Sequence, residues 1–216
     1  MHTPAVGKKT NFERATRAPL IIRDPASSLA PAASAAIVEF VDVMPTLADL
    51  ALGGGGYGNR GDSGGGGSSG SVIPTCPSVS THVPLCTEGR SLVPIMANPA
   101  GTGQSRRAAF MQYAACMHDE AVWHDACASD DEPRVMGYAI RTRRWRYIEW
   151  VRFDKATTPP TPRWDDVLGT ELYDHTEGDS VENAAEAANV VAQPALASVV
   201  AELSHQLRSG WRASRD

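Results

Sequence analysis

The densest group of residues that could do chemistry is the stretch VMGYAIRTRRWRYIEWVRFD, at 135–154. Its guanidinium groups and aromatic rings could form an anion-binding face on which a ligand stacks. The alternation along the stretch instead predicts a hairpin packed on one side, with Arg144, Arg146 and Arg152 on the solvent-facing side. We therefore predict a solvated face rather than a specific anion site. The residues concerned are Arg141, Arg143, Arg144, Arg146 and Arg152, with Trp145, Tyr147 and Trp150.

A second group lies in CMHDEAVWHDAC, where Cys116, His118, His124 and Cys127 are all possible zinc ligands. Structural zinc sites usually bring ligands in pairs two to four residues apart, whereas Cys116 and His118 have a single residue between them. A cysteine nucleophile served by one of these histidines would lack an identifiable orienting group. The stretch is more typical of a solvated loop or helix.

A third group is the pair Asp165 and Asp166, which stand side by side as in some metal-dependent hydrolases. In those enzymes the pair follows a strand, but here it follows the proline-rich run KATTPPTPRW. We therefore predict a solvated pair rather than a metal site.

Cys76 and Cys86 lie ten residues apart in PTCPSVSTHVPLCTEG, between prolines. A loop of this length can close as a disulfide, which would indicate an oxidising compartment. Two free thiols are the alternative, and we take the disulfide as the prediction.

Composition limits the class of protein. The 216 residues carry a formal net charge of -5, which argues against nucleic-acid binding as the main function because phosphate binding needs an excess of Lys and Arg. No stretch approaches the roughly 20 apolar residues of a membrane-spanning helix. The first residues, MHTPAVGKKTNFER, lack the apolar core of a signal peptide, so the sequence by itself predicts a cytosolic chain.

The elements that must position these residues follow from hydrophobic patterning. The sequence predicts a buried strand at APLIIRDP, and then a strand leading into a helix at IVEFVDVMPTLADLAL, with Asp42 as its cap. Residues 53–70 hold eleven of the nineteen glycines and predict a flexible linker. Further strands are predicted at RAAFMQYAA, at 135–142, at 145–153 and at GTELYDH. An amphipathic helix follows, with Pro194 in its first turn and an apolar face of Leu196, Val199, Val200, Leu203, Leu207 and Trp211.

Several of these segments, taken in order, resemble the C-terminal part of the iduronate-2-sulfatase group of sulfatases. The strongest are KKTNFERAT, the pair Cys76 and Cys86 before EGRSL, and MGYAIRTRRWRYIEWV. The resemblance covers nearly the whole chain except the glycine-rich insert and the loop at 114–132.

The resemblance implies a partial α/β, alkaline-phosphatase-like sulfatase fold. Residues 1–52 would be the end of the large catalytic α/β domain, and residues 53–106 a flexible insert with the cysteine loop. Residues 107–216 would be a small C-terminal α+β domain with an antiparallel sheet and a terminal helix.

The resemblance also implies a chemistry, the hydrolysis of sulfate esters in glycosaminoglycans, in a lysosomal or secretory protein. The nucleophile in such sulfatases is a formylglycine made from the Cys of a Cys-x-Pro/Ala-Ser-Arg motif, and a calcium ion positions the sulfate. The nearest stretch to that motif is CTEGR at Cys86, which has Glu88 and Gly89 where Pro or Ala and Ser are needed. The calcium ligands should lie upstream of KKTNF, so we expect no complete calcium site in this chain.

Lys8 is the one active-site residue that carries over, because it matches the lysine that contacts the sulfate ester in the group. Two hypotheses follow from the sequence. The first is a partial sulfatase that is inactive alone. The second is a non-catalytic module that binds a sulfated glycosaminoglycan or a protein partner through the arginine-rich hairpin.

Overall fold

The structure is a computed structural model, and it describes residues 10–25, 27–52, 71–77, 83–101, 106–119, 122–124, 134–154, 156–176 and 186–213. The chain divides into two compact units. One contains residues 1–19 together with 107–216, and the other contains residues 20–106. The division predicted from the sequence, into residues 1–52, 53–106 and 107–216, stays a prediction.

The unit that includes the C-terminus is built on a five-stranded antiparallel sheet, in the order β2, β1, β3, β4, β5. The strands are β1 (Ala108–Asp119), β2 (Val122–His124), β3 (Arg134–Thr142), β4 (Trp145–Asp154) and β5 (Thr161–Asp174). β3 and β4 form the predicted hairpin, which turns at Arg143 and Arg144. A one-turn helix, α1 (Glu13–Thr16), precedes the sheet in sequence, and α4 (Ala197–Ser209) follows it.

Each face of this sheet buries its own cluster. The face that α4 covers holds Ile140, Tyr147 and Leu172, packed against Leu203 and Leu207 of the helix. The opposite face holds Val135, Ala139, Ile148 and Trp150, with Phe12 from the N-terminal segment packed against them. Because residues alternate between faces along a strand, neighbours such as Tyr147 and Ile148 enter different clusters.

Several elements differ in extent from the prediction. β1 continues to Asp119 and β2 follows it, whereas the sequence predicts a solvated loop or helix in this stretch. β5 begins at Thr161, before the predicted GTELYDH, and so contains Pro162. The structure tolerates this proline because β5 is an edge strand, where a missing N–H on the open side breaks no ladder bond. The terminal helix begins with a 3-10 turn at Pro194–Leu196 and ends at Ser209, so Trp211 lies beyond it.

The other unit contains α2 (Val43–Leu52) and α3 (Val93–Ala97). Its buried side chains include polar ones: Asp42, Thr46 and Asp49 face inward. The Thr46 hydroxyl accepts a hydrogen bond from the backbone N–H of Leu92 at 2.8 Å. Asp49 Oδ1 accepts bonds from the Ser71 hydroxyl at 2.9 Å and from the N–H of Val72 at 2.7 Å.

Asp42 does not cap α2 as predicted. It lies in a 3-10 turn, Phe40–Asp42, in place of the predicted strand. Its carboxylate accepts hydrogen bonds from the backbone N–H of Glu39 at 2.9 Å and of Arg90 at 2.7 Å, and it also pairs with Arg106. Asp42 therefore joins three separate stretches of this unit.

Because the polar side of α2 faces inward, large apolar side chains of α2 and of the turn before it face outward. We call these residues, Phe40, Met44, Leu47 and Leu52, the apolar stripe of α2. Phe40 is 71% exposed, Met44 47%, Leu47 56% and Leu52 71%. The predicted buried strand at APLIIRDP is also wrong, because the segment has no regular structure and Ile21 is 91% exposed. Large apolar side chains of this unit are therefore left exposed among the described residues.

The predicted disulfide between Cys76 and Cys86 is present, with their Cα atoms 4.8 Å apart. Beside it, Cys76 N–H donates to the carbonyl of Thr87 and Thr87 N–H donates to that of Pro74, at 3.0 and 2.9 Å. No helix among the described residues is both long and apolar enough to cross a membrane.

Candidate functional site

The segment that follows Lys8 is attached to the face of the sheet opposite α4. Asn11 is buried, and its side-chain amide donates to the carbonyl of Gly137 in β3 at 2.8 Å. Phe12 meets the ring of Tyr173 edge to face, with ring centroids 5.7 Å apart. Glu13 begins α1, and its backbone N–H donates to Glu186 Oε2 at 2.7 Å. Residues from three distant parts of the chain therefore hold Asn11 to Glu13.

Arg146 lies at the centre of this attachment, and its side chain is only 1% exposed. Its Nε donates to Glu186 Oε1 at 2.5 Å, its Nη1 to the carbonyl of Asn11 at 2.6 Å, and its Nη2 to Thr16 Oγ1 at 3.1 Å. Nη2 also pairs with the carboxylate of Glu13. A single guanidinium thus connects β4 to both ends of the segment.

Charges balance within the cluster. The carboxylates of Glu13 and Glu186 face the guanidinium groups of Arg146 and Arg141, and Arg141 Nε lies 3.0 Å from Glu13 Oε2. Burial by itself would raise the pKa of Glu13, but the hydrogen bond from Arg141 and the charge of Arg146 outweigh it and lower that pKa. Glu13 is therefore held as a carboxylate.

His175 completes the cluster at the end of β5. Its Nε2 lies 2.9 Å from Glu186 Oε1, and its backbone N–H donates to the carbonyl of Arg144 at 2.7 Å. Glu186 has a φ of 47°, a left-handed conformation that is uncommon for a residue with a side chain.

Arg146 corrects the prediction of a solvent-facing arginine. It does point away from Tyr147, as the alternation indicates, but the N-terminal segment covers the face that it enters. Trp150 is buried as well and donates from Nε1 to Glu171 at 2.7 Å, so it is no exposed stacking platform.

The other described arginines of the hairpin are nearer to solvent, and most pair with acids. Arg144 Nη2 lies 2.8 Å from Asp174 Oδ2, and this hydrogen bond lowers the pKa of Asp174 to about 2. Arg152 Nε lies 2.9 Å from Asp166 Oδ2. Arg143 is exposed at the turn. Of the five arginines named from the sequence, four thus face carboxylates.

The aspartate pair lies within β5, not after a loop. Asp165 is exposed and pairs with Arg163 at 3.2 Å, and the hydrogen bond from Arg163 lowers its pKa. Its neighbour Asp166 pairs with Arg152. The two carboxylates therefore pair with different arginines, Arg163 and Arg152, instead of facing a common metal.

Cys116 is in β1 and is disulfide-bonded, with its partner outside the described residues. A cysteine in a disulfide has no free thiolate, so it can neither bind zinc nor act as a nucleophile. His118 and His124 lie in β1 and β2, whose backbones pair antiparallel. Cys127 lies outside the described residues, as does Lys8.

Glu13, His175 and Glu186 place one potential metal ligand each within 4.8 Å of the others. Calcium, however, takes six to eight oxygen ligands, and this group offers two carboxylates and a ring nitrogen. The guanidinium of Arg146 already bridges the two carboxylates. The cluster therefore does not fit a calcium ion.

No protein-family model matches the chain. Two curated proteins do match, and both are sulfatases. They are iduronate 2-sulfatases: that of Mus musculus is 30% identical over 197 residues, covering 77% of this chain and 32% of the relative. That of Homo sapiens is 31% identical over 144 residues, covering 63% of this chain and 22% of the relative.

The resemblance to the iduronate-2-sulfatase group is thereby confirmed. The chain spans about a third or less of the length of the curated relatives that it matches. The antiparallel sheet with its terminal helix is compatible with the small C-terminal domain that the resemblance implies.

Sequence reasoning missed Glu13, Glu186 and His175 as members of a cluster. Only the KKTNFERAT match pointed to the segment that contains Glu13. Glu186 lies in an alanine-rich stretch, ENAAEAAN, which carries no recognisable motif. The charge balance around a buried arginine becomes visible only when the strands are assembled.

Proposed function

We propose that this chain is the C-terminal portion of an iduronate-2-sulfatase-like enzyme, a sulfuric-ester hydrolase of the alkaline-phosphatase-like class. In this proposal it supplies Lys8 as a contact for the sulfate ester of a glycosaminoglycan, in a lysosomal or secretory protein. The sheet of the unit that contains residues 107–216 supports that segment. The chain has no turnover by itself.

The outward apolar stripe of α2 carries the proposal of a partial enzyme. Hydrogen bonds of Asp42, Thr46 and Asp49 fix the inner side of that region, so the stripe cannot be buried by rotating the helix. A helix with an outward apolar stripe, in a unit that also exposes Leu20 and Ile21, is typical of a layer that packs on a larger α/β sheet. The share of the relatives' length that this chain leaves uncovered is large enough to supply one.

The cysteines support the absence of turnover. The sequence contains no Cys-x-Pro/Ala-Ser-Arg motif, and the nearest candidate, Cys86, is joined to Cys76. Calcium would supply charge neutralisation on the sulfate in the complete enzyme. The acidic cluster at Glu13 and Glu186 does not fit that role, as its donor set shows.

Turnover is tested by incubating the purified chain with calcium and a 2-O-sulfated heparin disaccharide, and measuring released sulfate. We expect release equal to the blank, with mouse iduronate 2-sulfatase as the positive control. Sulfate release above the blank that is lost on removing calcium would overturn the proposal.

The role of Lys8 is tested by binding. The affinity of the chain for the same disaccharide should fall in the Lys8→Ala variant, because a compact cation facing a sulfate is removed. The matched control is Lys9→Ala, in which the neighbouring lysine is changed. Equal affinities of the chain and its Lys8→Ala variant would count against the assignment.

The alternative, a binding module that uses the arginine-rich hairpin, predicts salt-sensitive retention on heparin. Pairing with Glu13, Asp174, Glu186 and Asp166 leaves less positive charge available there than the sequence indicates. Retention on a heparin column at low salt should therefore be weak and should depend on Lys8, whereas strong retention that persists in the Lys8→Ala variant would favour the alternative.

A further inference from the structure

The attachment of residues 10–16 depends on side chains and not on strand pairing. Among the described residues of this segment, the carbonyl of Asn11 and the N–H of Glu13 are both satisfied by charged side chains, Arg146 and Glu186. These partners lie 135 and 173 residues away along the chain. The segment is therefore held at points that distant elements supply.

Because the charged groups of this attachment are buried, the loss of any one contact should release the whole segment. The side chains of Arg146 and Glu186 are 1% and 0% exposed, and that of Glu13 is 9% exposed. Removing one partner of a buried pair leaves the other charge uncompensated in a medium of low dielectric constant. A segment that loses one of these contacts should separate from the sheet and let water reach the remaining charges.

The arginine cannot be exchanged for another cation. Its Nε, Nη1 and Nη2 reach Glu186, Asn11 and Thr16 in three directions, and Nη2 also pairs with Glu13. A planar guanidinium provides this fixed fork, whereas an ammonium is a point charge with a flexible stem. The geometry therefore specifies direction as well as charge.

The conformation of Glu186 adds an independent observation. A left-handed φ of 47° is unfavourable for a residue with a Cβ, and it persists only when the surroundings determine it. Here the surroundings are Arg146, the N–H of Glu13 and His175, all bound to the same carboxylate. The backbone at Glu186 is thus arranged to present that carboxylate to the segment.

We infer that Glu13, Arg146 and Glu186 form a clasp that sets the position of residues 10–16 on the sheet, and through it the point from which the chain leads to Lys8. Arg146 is then a positioning residue. The clasp itself follows from the contacts of the described residues; only its purpose, to place a sulfate-contacting lysine, rests on the proposed function.

The clasp is tested by hydrogen exchange on the full chain, comparing peptides from residues 10–17 with peptides from β3 and β4. In the Arg146→Ala variant, exchange in residues 10–17 should rise about a hundredfold, as the loss of a buried pair implies, while β3 and β4 change little. The matched control is Arg144→Ala, which removes an exposed arginine of the same hairpin and should leave residues 10–17 protected.

Chemical rescue of the Arg146→Ala variant distinguishes a positioning role of Arg146 from a general loss of stability. Ethylguanidinium replaces the atoms that Arg146→Ala removes, so millimolar amounts should restore the protection of residues 10–17. The Arg146→Lys variant should remain unprotected, because an ammonium cannot reach three partners. Unaltered exchange in Arg146→Ala, an equal rise in β3 and β4, or failure of ethylguanidinium would each overturn the clasp.

If Arg146→Ala does not fold, Glu186→Gln decides the question, because it preserves shape and removes the charge. Faster exchange confined to residues 10–17 supports the clasp, and unchanged exchange contradicts it. The link to Lys8 has its own readout: Arg146→Ala should lose as much affinity for the 2-O-sulfated disaccharide as Lys8→Ala does. Release of the segment with no effect of Lys8→Ala on affinity would leave the clasp standing and remove the proposed role of the lysine.

Discussion

Gly137 is a position where the N-terminal segment lies close to the backbone of the sheet. A Cβ added there would lie 2.6 Å from Asn11 Nδ2 and 2.7 Å from Cζ3 of Trp150, closer than carbon atoms approach in real structures. We expect Gly137→Ala to lower the free energy of unfolding by about 1 to 3 kcal/mol, the usual range for an overpacked site. Chemical denaturation measures the loss, and exchange at residues 10–17 should rise with it. Unchanged stability would mean that Asn11 and Trp150 can both move aside.

The lowered pKa of Glu13 predicts an acid-sensitive attachment. Its pKa in the folded chain lies below the ordinary value of 4.5, so the folded state binds fewer protons than the unfolded state in that range. The stabilisation is therefore fully present above pH 4.5 and is lost as the pH falls through the folded value. Exchange at residues 10–17, followed as the pH is lowered, should show the loss.

Glu13→Gln is the control for this pH dependence, since it cannot titrate and should weaken the attachment at every pH. Asp174 also has a lowered pKa and would contribute in the same direction at lower pH, so Asp174→Asn is measured beside it. If the acid sensitivity of residues 10–17 were the same in Glu13→Gln as in the unaltered chain, the assignment to Glu13 would be wrong.

At the scale of elements, α4 holds its face of the sheet through both apolar and polar contacts. Leu203 and Leu207 are buried against Ile140 and Leu172. Glu149, fully buried in β4, accepts hydrogen bonds from the Ser204 hydroxyl at 2.6 Å and from Arg208 Nη2 at 2.8 Å. This polar contact fixes the helix along its axis, and the leucines supply the burial.

We expect Leu203→Ala to lower the free energy of unfolding by about 2 to 5 kcal/mol, the range for a large-to-small change in a core. Glu202→Ala, one residue earlier on the exposed side of α4, should change it by less than about 0.5 kcal/mol. Urea unfolding followed by tryptophan fluorescence measures both. Similar effects of the two changes would show that the helix does not pack as described.

The sequence predicted the hairpin of β3 and β4 and the helix α4 well, because the patterns that indicate both are local in the sequence. The turn at Arg143 and Arg144 and the apolar periodicity of α4 are local signals. Periodicity also placed Arg146 on the correct side of its strand. It could not tell that residues 11–13, more than 130 positions earlier, cover that side, because alternation defines two faces and not what packs on each.

The prediction of a strand at Leu20 to Ile22 was wrong for a related reason. Its composition is that of a buried strand, but a strand needs neighbours for its backbone groups. Among the described residues, no backbone hydrogen bond joins these three to another segment, and Ile21 is 91% exposed. The apolar pattern thus indicates burial against a neighbouring segment. Under the proposed function, that segment belongs to the rest of the enzyme.

At the scale of the whole molecule, the apolar stripe of α2 makes a prediction about the isolated chain. An exposed stripe of large apolar side chains attracts apolar dyes and promotes association. In the double variant Met44→Glu with Leu47→Glu, dye binding and light scattering should fall, while the unfolding midpoint stays nearly unchanged because neither side chain is buried. The inward-facing Thr46→Val is the matched control: it removes the acceptor for Leu92 N–H and should cost about 1 to 3 kcal/mol without reducing dye binding. If the double variant is destabilised as strongly as Thr46→Val, the stripe is part of an internal core, and the surface on which the proposed enzyme assembly depends does not exist.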